Sequence, residues 1–245
     1  MSQRKLIIAL DFASLDGVKK IVDNIDPQQL MVKVGLELYL AEGKKVLDYL
    51  SEKGFKIFLD LKLHDIPNTV NKAVKEISKF NVEMTTIHLK GGKDMIEAAL
   101  ESASNTKIIG VSVLTSLNNK DIEEMHGSNF DSQFKRIIKL AKTTKIDGIV
   151  CSPQELSQLH ELNKIKVVPG IRNELSGDDQ KRTMSSTEAY KNGADFIVVG
   201  RPITRADDIK AAILKGVDEV LDPAIEVGIM FMSGELNVKC IKSIF

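Results

Sequence analysis

Short apolar runs alternate with longer amphipathic segments along almost the whole chain. The short runs are L-I-I-A-L-D (6–11), L-M-V-K-V-G (30–35), K-I-F-L-D-L-K (56–62), V-E-M-T-T-I-H (82–88), K-I-I-G-V-S-V (107–113), D-G-I-V-C-S (147–152), K-V-V-P-G-I (166–171) and D-F-I-V-V-G (195–200). Their β-branched content and near-continuous apolarity predict strands covered on both faces, as in a parallel sheet. Between them, apolar residues recur at helical spacing. Leu15, Val18, Ile21 and Val22 share one face, as do Val46, Leu47 and Leu50, then Val70, Ala73, Val74 and Ile77, then Ile96, Ala99 and Leu100. Further helices are expected over 134–141, 154–160, 186–192 and 207–220. Several follow or begin with Ser, Asp or Asn, which can cap the free amides of a first turn.

Strand-then-helix units of roughly 30 residues, repeated eight times, predict an α/β fold of the (β/α)8 TIM-barrel type. The competing arrangement, a doubly wound open sheet, uses fewer strands and a glycine-rich turn after the first. Here Asp11 is followed by F-A-S-L-D, and no G-x-G-x-x-G occurs. No Pro/Gly/Ser-rich linker interrupts the pattern, so residues 1–221 are expected to form a single domain. Two regions stand outside the count. Residues 115–132 make a long polar connection with room for a short helix, and residues 222–245 form a C-terminal extension whose packing the pattern leaves open.

Composition narrows the function classes. Thirty-four basic residues balance thirty-four acidic ones in a chain of 245, so no net field draws it to nucleic acid or to an anionic membrane. The two cysteines, Cys151 and Cys240, support neither a disulfide framework nor a thiolate metal site. The apolar stretch near the start is too short for a signal peptide, and no run approaches the length of a bilayer crossing, so a cytoplasmic protein is expected.

The informative charges lie inside strands. In F-L-D-L-K-L-H-D the two-residue period sends Leu59, Leu61 and Leu63 to one side, and Phe58, Asp60 and Lys62 to the other. With leucines toward the helices, Asp60 and Lys62 point into the barrel mouth. Lys33 in the second strand and Asp11 at the end of the first join them, near the carboxyl ends where such barrels carry their chemistry. Buried ion pairs stabilise weakly once desolvation is counted, so a cluster of this kind points to function. Lysines among carboxylates favour the ammonium form, which suits an electrostatic or acid role better than a Schiff base. The chemistry suggested is negative charge developing on carbon, followed by protonation.

An anion grip is expected at the other end of the chain. Arg172 follows the seventh run, and Gly200 with Arg201 closes the eighth, the two loops that hold phosphate in phosphate-binding barrels. Gln180 can add a neutral donor. The histidines show no compact ligand spacing, so no metal site is expected. Cys151 reads as a buried strand-end residue, and His64 and His88 as strand-end residues able to orient their neighbours.

Over residues 6–221 the chain resembles the orotidine 5′-phosphate decarboxylase family in its bacterial form. The most specific signature is F-L-D-L-K-L-H-D-I-P-N-T-V (58–70), with A-L-D (9–11), V-K-V-G (32–35), V-L-T-S (113–116), P-G-I-R (169–172) and V-V-G-R (198–201) in family order. The resemblance implies a cofactor-free, metal-free barrel homodimer that decarboxylates orotidine 5′-phosphate. By motif, Lys62 matches the proton donor, with Asp60, Lys33 and Asp65 completing a charged array. Asp65 and Thr69 match residues that serve the partner subunit's site. Asp11 and Lys33 match the ribose contacts, Thr115 and Ser116 the pyrimidine contacts, and Arg172, Gln180, Gly200 and Arg201 the phosphate side. A related Mg²⁺-dependent sugar-phosphate group carries glutamate at the second-strand position, where this chain has Lys33. H-L-K-G-G (88–92) departs from the family in having Leu89 and Lys90 where small residues are usual.

Overall fold

The computed structural model describes residues 6–28, 30–114, 116–171 and 184–218, the last five by backbone alone. Eight parallel strands close into a barrel in chain order. They are β1 (Leu6–Ala9), β2 (Met31–Val34), β3 (Lys56–Leu63), β4 (Val82–His88), β5 (Lys107–Val111), β6 (Gly148–Val150), β7 (Ile165–Val168) and β8 (Phe196–Val199). The seam between β8 and β1 is made by Leu6↔Ile197, Ile7↔Val198 and Ile8↔Val199. All eight expected strands are present. Most end a residue or more before the apolar run does, and those last residues begin the loops that carry the site.

The helices are α1 (Leu15–Val22), α2 (Leu36–Glu42), α3 (Lys44–Glu52), α4 (Pro67–Ile77), α5 (Gly92–Ser102), α6 (Asn119–His126), α7 (Phe130–Thr143), α8 (Ser186–Lys191), α9 (Arg201–Thr204) and α10 (Ile209–Asp218). The faces read from periodicity are the ones buried: Leu15, Val18, Ile21 and Val22 in α1, and Val46, Leu47 and Leu50 in α3. Ser14 caps α1 by accepting from the Gly17 amide, and the polar connection after β5 contains α6, capped reciprocally by Asn118 and Asp121. The expected helix over 154–160 is instead a 3-10 segment, Pro153–Leu159. Its geometry follows from Glu155, which is 1% exposed. The Glu155 carboxylate accepts from the Ser152 amide and the Ser112 hydroxyl, each at 3.0 Å, and so ties the segment to the end of β5. The extension 222–245 lies outside the described residues.

Two apolar layers follow from the strand period. Ile7, Ala9, Met31, Phe58, Met84, Ile109, Val167 and Val198 fill the barrel interior. Ile8, Val32, Val34, Ile57, Leu59, Ile87, Ile108 and Ile149 face the helices and join the larger cluster between the two shells. Phe58 is 1% exposed, and burial of a side chain this size contributes about 3 kcal/mol. That floor of side chains supports what sits above it.

Candidate active site

The strand period that packs Phe58 inward also brings its successor two places on, Asp60, to the axis, one layer nearer the mouth. Lys33 pairs in register with Phe58 across β2 and β3, so its side chain rises beside Asp60. Its ammonium lies 3.1 Å from Asp11 Oδ1 and 3.8 Å from Asp60 Oδ2. Lys62 Nζ donates to Asp60 Oδ2 at 2.8 Å. The Asp60 and Lys33 side chains are 11% and 13% exposed, against 32% for Lys62 and 56% for Asp11, so the array opens toward solvent along one side.

β3 reaches Lys62 through a departure from regular strand geometry. Pairing with β4 passes from Leu59↔Thr85 directly to Leu63↔Ile87, and Lys62 adopts φ 50°, the one positive value at a non-glycine residue among those described. Such a conformation is strained for a side-chain-bearing residue and is characteristic of functional sites. Thr86 of β4 meets this bulge: its hydroxyl accepts from the Lys62 amide at 2.8 Å and donates to Asp60 Oδ1 at 2.9 Å. The T-T pair in β4 reads in the sequence as ordinary β-branched filling, so Thr86 escaped notice. The available signal was that one of two adjacent threonines must face the interior, next to the charged strand.

Electrostatics keep Asp60 charged. Burial is the largest single influence on Asp60 and pushes its carboxyl up, but the Lys62 and Lys33 ammoniums and the hydrogen bonds from Lys62 and Thr86 together outweigh it. The carboxyl is held below its ordinary value. Above β4, burial foremost, then the charges of His64, Lys62 and Lys90, lower His88 to about 4, with Asp60 offsetting part of the effect. The His64 and His88 rings meet at a tilt of 43° with centroids 5.3 Å apart, and Lys90 Nζ lies 2.9 Å from His126 Nε2.

A cavity of about 240 Å³ opens on this array. Asp11, Lys33, Asp60 and Lys62 line one wall, Val150, Val167, Pro169, Gly170 and Ile171 another, and Val198, Gly200, Arg201 and Pro202 complete it across the seam. Glycine is needed at two turns. A side chain at Gly35 would lie 2.9 Å from the Lys33 ammonium, and Gly170 has φ 78°. The fold thus gathers Asp11, Lys33, Asp60, Lys62, Gly200 and Arg201 around one space. It leaves Asp65, Thr69 and Ser116 exposed and off the cavity wall, with Asp65 accepting the Ile66 amide at 2.7 Å. Thr115, Arg172 and Gln180 lie outside the described residues. Cys151 is buried, and burial, foremost, raises its thiol well above the usual range, which fits the structural role expected of it.

A family model described as orotidine 5′-phosphate decarboxylase / HUMPS family matches residues 4–215. The chain belongs to that family. An orotidine 5′-phosphate decarboxylase of Saccharophagus degradans is 42% identical over 213 residues, covering 83% of this chain and 90% of its own length. One from Malacoplasma penetrans is 44% identical over 215 residues, covering 84% and 93%. The crystal structure of orotidine 5′-phosphate decarboxylase from Lactobacillus acidophilus superimposes with a TM-score of 0.80 at 36% identity, covering 89% of this chain and all of that one. In this member of the family, the cation set between Asp11 and Asp60 is the Lys33 ammonium. Its charge opposes a divalent ion at that place.

Proposed function

We propose that Lys62 is the proton donor in the decarboxylation of orotidine 5′-phosphate to uridine 5′-phosphate and CO2, the reaction this lyase carries out in UMP synthesis. The observation that supports it is the inward Lys62 ammonium, held 2.8 Å from a buried carboxylate on the wall of the cavity. When the bond from C6 to the carboxylate breaks, its electron pair stays on C6, in the ring plane, where no ring carbonyl delocalises it. A fixed positive charge is then the main means of stabilising that pair. Lys62 supplies the charge and afterwards the proton: its N–H bonding pair stays on nitrogen, C6 gains hydrogen, and the neutral amine recovers a proton from solvent. Asp60, and Asp65 contributed by the other subunit, hold the ammonium in place and aimed.

The remaining roles follow from position and from the family motifs. Asp11 and Lys33 hold the ribose hydroxyls, and Thr115 and Ser116 read the pyrimidine. Arg172, Gln180, Gly200 and Arg201 grip the phosphate, remote binding whose energy orients the ring for reaction. The working unit is a homodimer in which Asp65 and Thr69 complete the partner's site. Both residues are exposed and do not line their own cavity, and Ile66 beside Asp65 is 66% exposed. Leu36 and Leu40, on helix α2 after the neighbouring strand, are 52% and 81% exposed, an apolar surface suited to a second copy. Among the described residues no helix is long and apolar enough to cross a membrane, and the balanced charge suits a cytoplasmic enzyme of small molecules that binds neither nucleic acid nor membrane. Residues 1–221 form the catalytic domain, and the extension 222–245 contributes no site residue; truncation after Leu221 is expected to leave kcat unchanged in the folded protein.

Lys62→Ala tests the central role. Single-turnover decarboxylation is expected to fall by many orders of magnitude while circular dichroism stays unchanged. Retention of more than about a tenth of the rate overturns it, because positioned acid and electrostatic groups contribute at least roughly 100-fold.

A further inference from the structure

Thr86 is fully buried on β4. Its one hydroxyl touches the catalytic strand twice, at the Lys62 amide and at Asp60 Oδ1. The directions are forced. An amide can only donate, so the hydroxyl accepts there, and its single proton is left for the carboxylate. The other oxygen of Asp60 takes the Lys62 ammonium at 2.8 Å. The result is a closed circuit of hydrogen bonds that begins at the backbone of Lys62 and returns to the tip of the same side chain.

That circuit is placed where the chain needs it. The ordinary ladder between β3 and β4 is interrupted between Leu59 and Leu63, so regular strand pairing does not hold the Lys62 amide. With φ 50°, the residue would relax toward the extended region if nothing gripped its backbone, and a change of that kind swings the whole side chain. Asp60 has the same dependence at its Oδ1 oxygen, which Thr86 holds while Lys62 holds Oδ2.

We propose that Thr86 is a positioning residue for the decarboxylation: its hydroxyl locks Lys62 in the left-handed conformation and orients Asp60, so that the ammonium stands where C6 is protonated. This rests on the roles of Lys62 and Asp60 given above. Thr86 itself touches no substrate, and its effect belongs in kcat.

Thr86→Val keeps the branched shape and deletes the hydroxyl. Rates are compared per folded protein, with Thr86→Ser as rescue and Thr85→Val as control. Thr85 is equally buried, but its hydroxyl bonds the Leu59 carbonyl and touches neither charged residue. Thr86→Val is expected to lower kcat about 10- to 100-fold, as misplacement of a catalytic group by a fraction of an ångström to an ångström does. Affinity for uridine 5′-phosphate stays near that of the wild type. The acid limb of kcat/KM moves to higher pH, because Asp60 has lost a hydrogen bond to its charged form. Thr86→Ser recovers most of the rate, and Thr85→Val retains it. If Thr86→Val does not fold, Thr86→Ala, which puts no added apolar bulk beside the charges, takes its place. Wild-type kcat and an unmoved acid limb in Thr86→Val, with Lys62→Ala inactive, overturn this inference alone, and so does a Thr86→Ser as slow as Thr86→Val. Near-normal rates in both Lys62→Ala and Thr86→Val overturn the role of Lys62 and this inference with it.

Discussion

Lys33 and Lys62, carried by neighbouring strands, converge on a single atom: their ammonium groups lie 3.8 and 2.8 Å from Asp60 Oδ2. One carboxylate oxygen therefore separates two cations that would otherwise face each other inside the mouth of the barrel. Asp60→Asn leaves Asp11 as the carboxylate still paired with this cluster. We expect a loss of about 3 kcal/mol in urea unfolding, as when one partner of a buried ion pair is removed. A fall of at least roughly 100-fold in kcat should accompany it, since the ammonium is no longer aimed. The folded-state carboxyl is held below its ordinary value, so its contribution to stability is present above the unfolded value and is lost as pH falls through the folded one. That acid-side loss should be smaller in Asp60→Asn.

Arg201→Ala should harm the nucleotide far more than a fragment without phosphate. Arg201 lines the cavity just after β8, beside Gly200, in the loop position where barrels of this type hold a dianion. The check is kcat/KM for orotidine 5′-phosphate and for the unphosphorylated nucleoside. Equal proportional losses on both would remove Arg201 from the phosphate site.

If sites are shared between subunits, two inactive variants should rescue each other. Lys62→Ala and Asp65→Ala proteins, each nearly inactive alone, are mixed and allowed to exchange. Random pairing makes about half of the dimers mixed. Each mixed dimer has one doubly damaged site and one intact site, so activity should recover to roughly one quarter of the wild-type site count. Exchange verified with mass-tagged subunits, but with activity no higher than the parents, would mean that Asp65 acts within its own chain.

His88 should tie stability to pH on the acid side. Its ordinary value of 6.5 falls to about 4 in the folded chain, so between these values the unfolded chain takes up a proton that the folded one refuses. Stability should decline as pH drops from about 6.5 toward 4 and level off below that window. Because His88 is only half-buried, solvent screening limits the effect to about 1–2 kcal/mol. Urea midpoints at neutral pH and within that window measure it, and His88→Gln should show a shallower decline.

Much of this was legible because a parallel barrel writes itself plainly: both faces of every strand are covered, and apolar runs mark each one. The Phe58 and Asp60 alternation is equally clear, and it alone points the charged array into the barrel mouth. Lys62 was expected inward by the same period, and it reaches Asp60, but through a bulge and a positive φ that no two-residue pattern contains. The helix α2 is hard to read because its buried face is narrow: Leu38 is buried, whereas Leu36 and Leu40 are exposed among the described residues, so L-E-L-Y-L-A-E shows no clear apolar stripe. The 3-10 segment Pro153–Leu159 depends on a buried Glu155 bonding to Ser112, more than forty residues earlier. Thr86 was hidden for a similar reason. Its importance lies in a partner on another strand.

The seam between β1 and β8 has a cost during synthesis. Asp11 and Lys33 leave the ribosome early, whereas Gly200 and Arg201, which complete the same cavity, are among the last described residues to emerge. Until β8 arrives, L-I-I-A of β1 has an unpaired edge, and a nascent chain at that stage is an open seven-stranded barrel whose cavity lacks one wall. Closure joins strands from opposite ends of the chain, the slowest kind of contact to form. Ribosome stalling or early termination before β8 therefore yields aggregation-prone material for chaperones and proteases rather than a weaker enzyme.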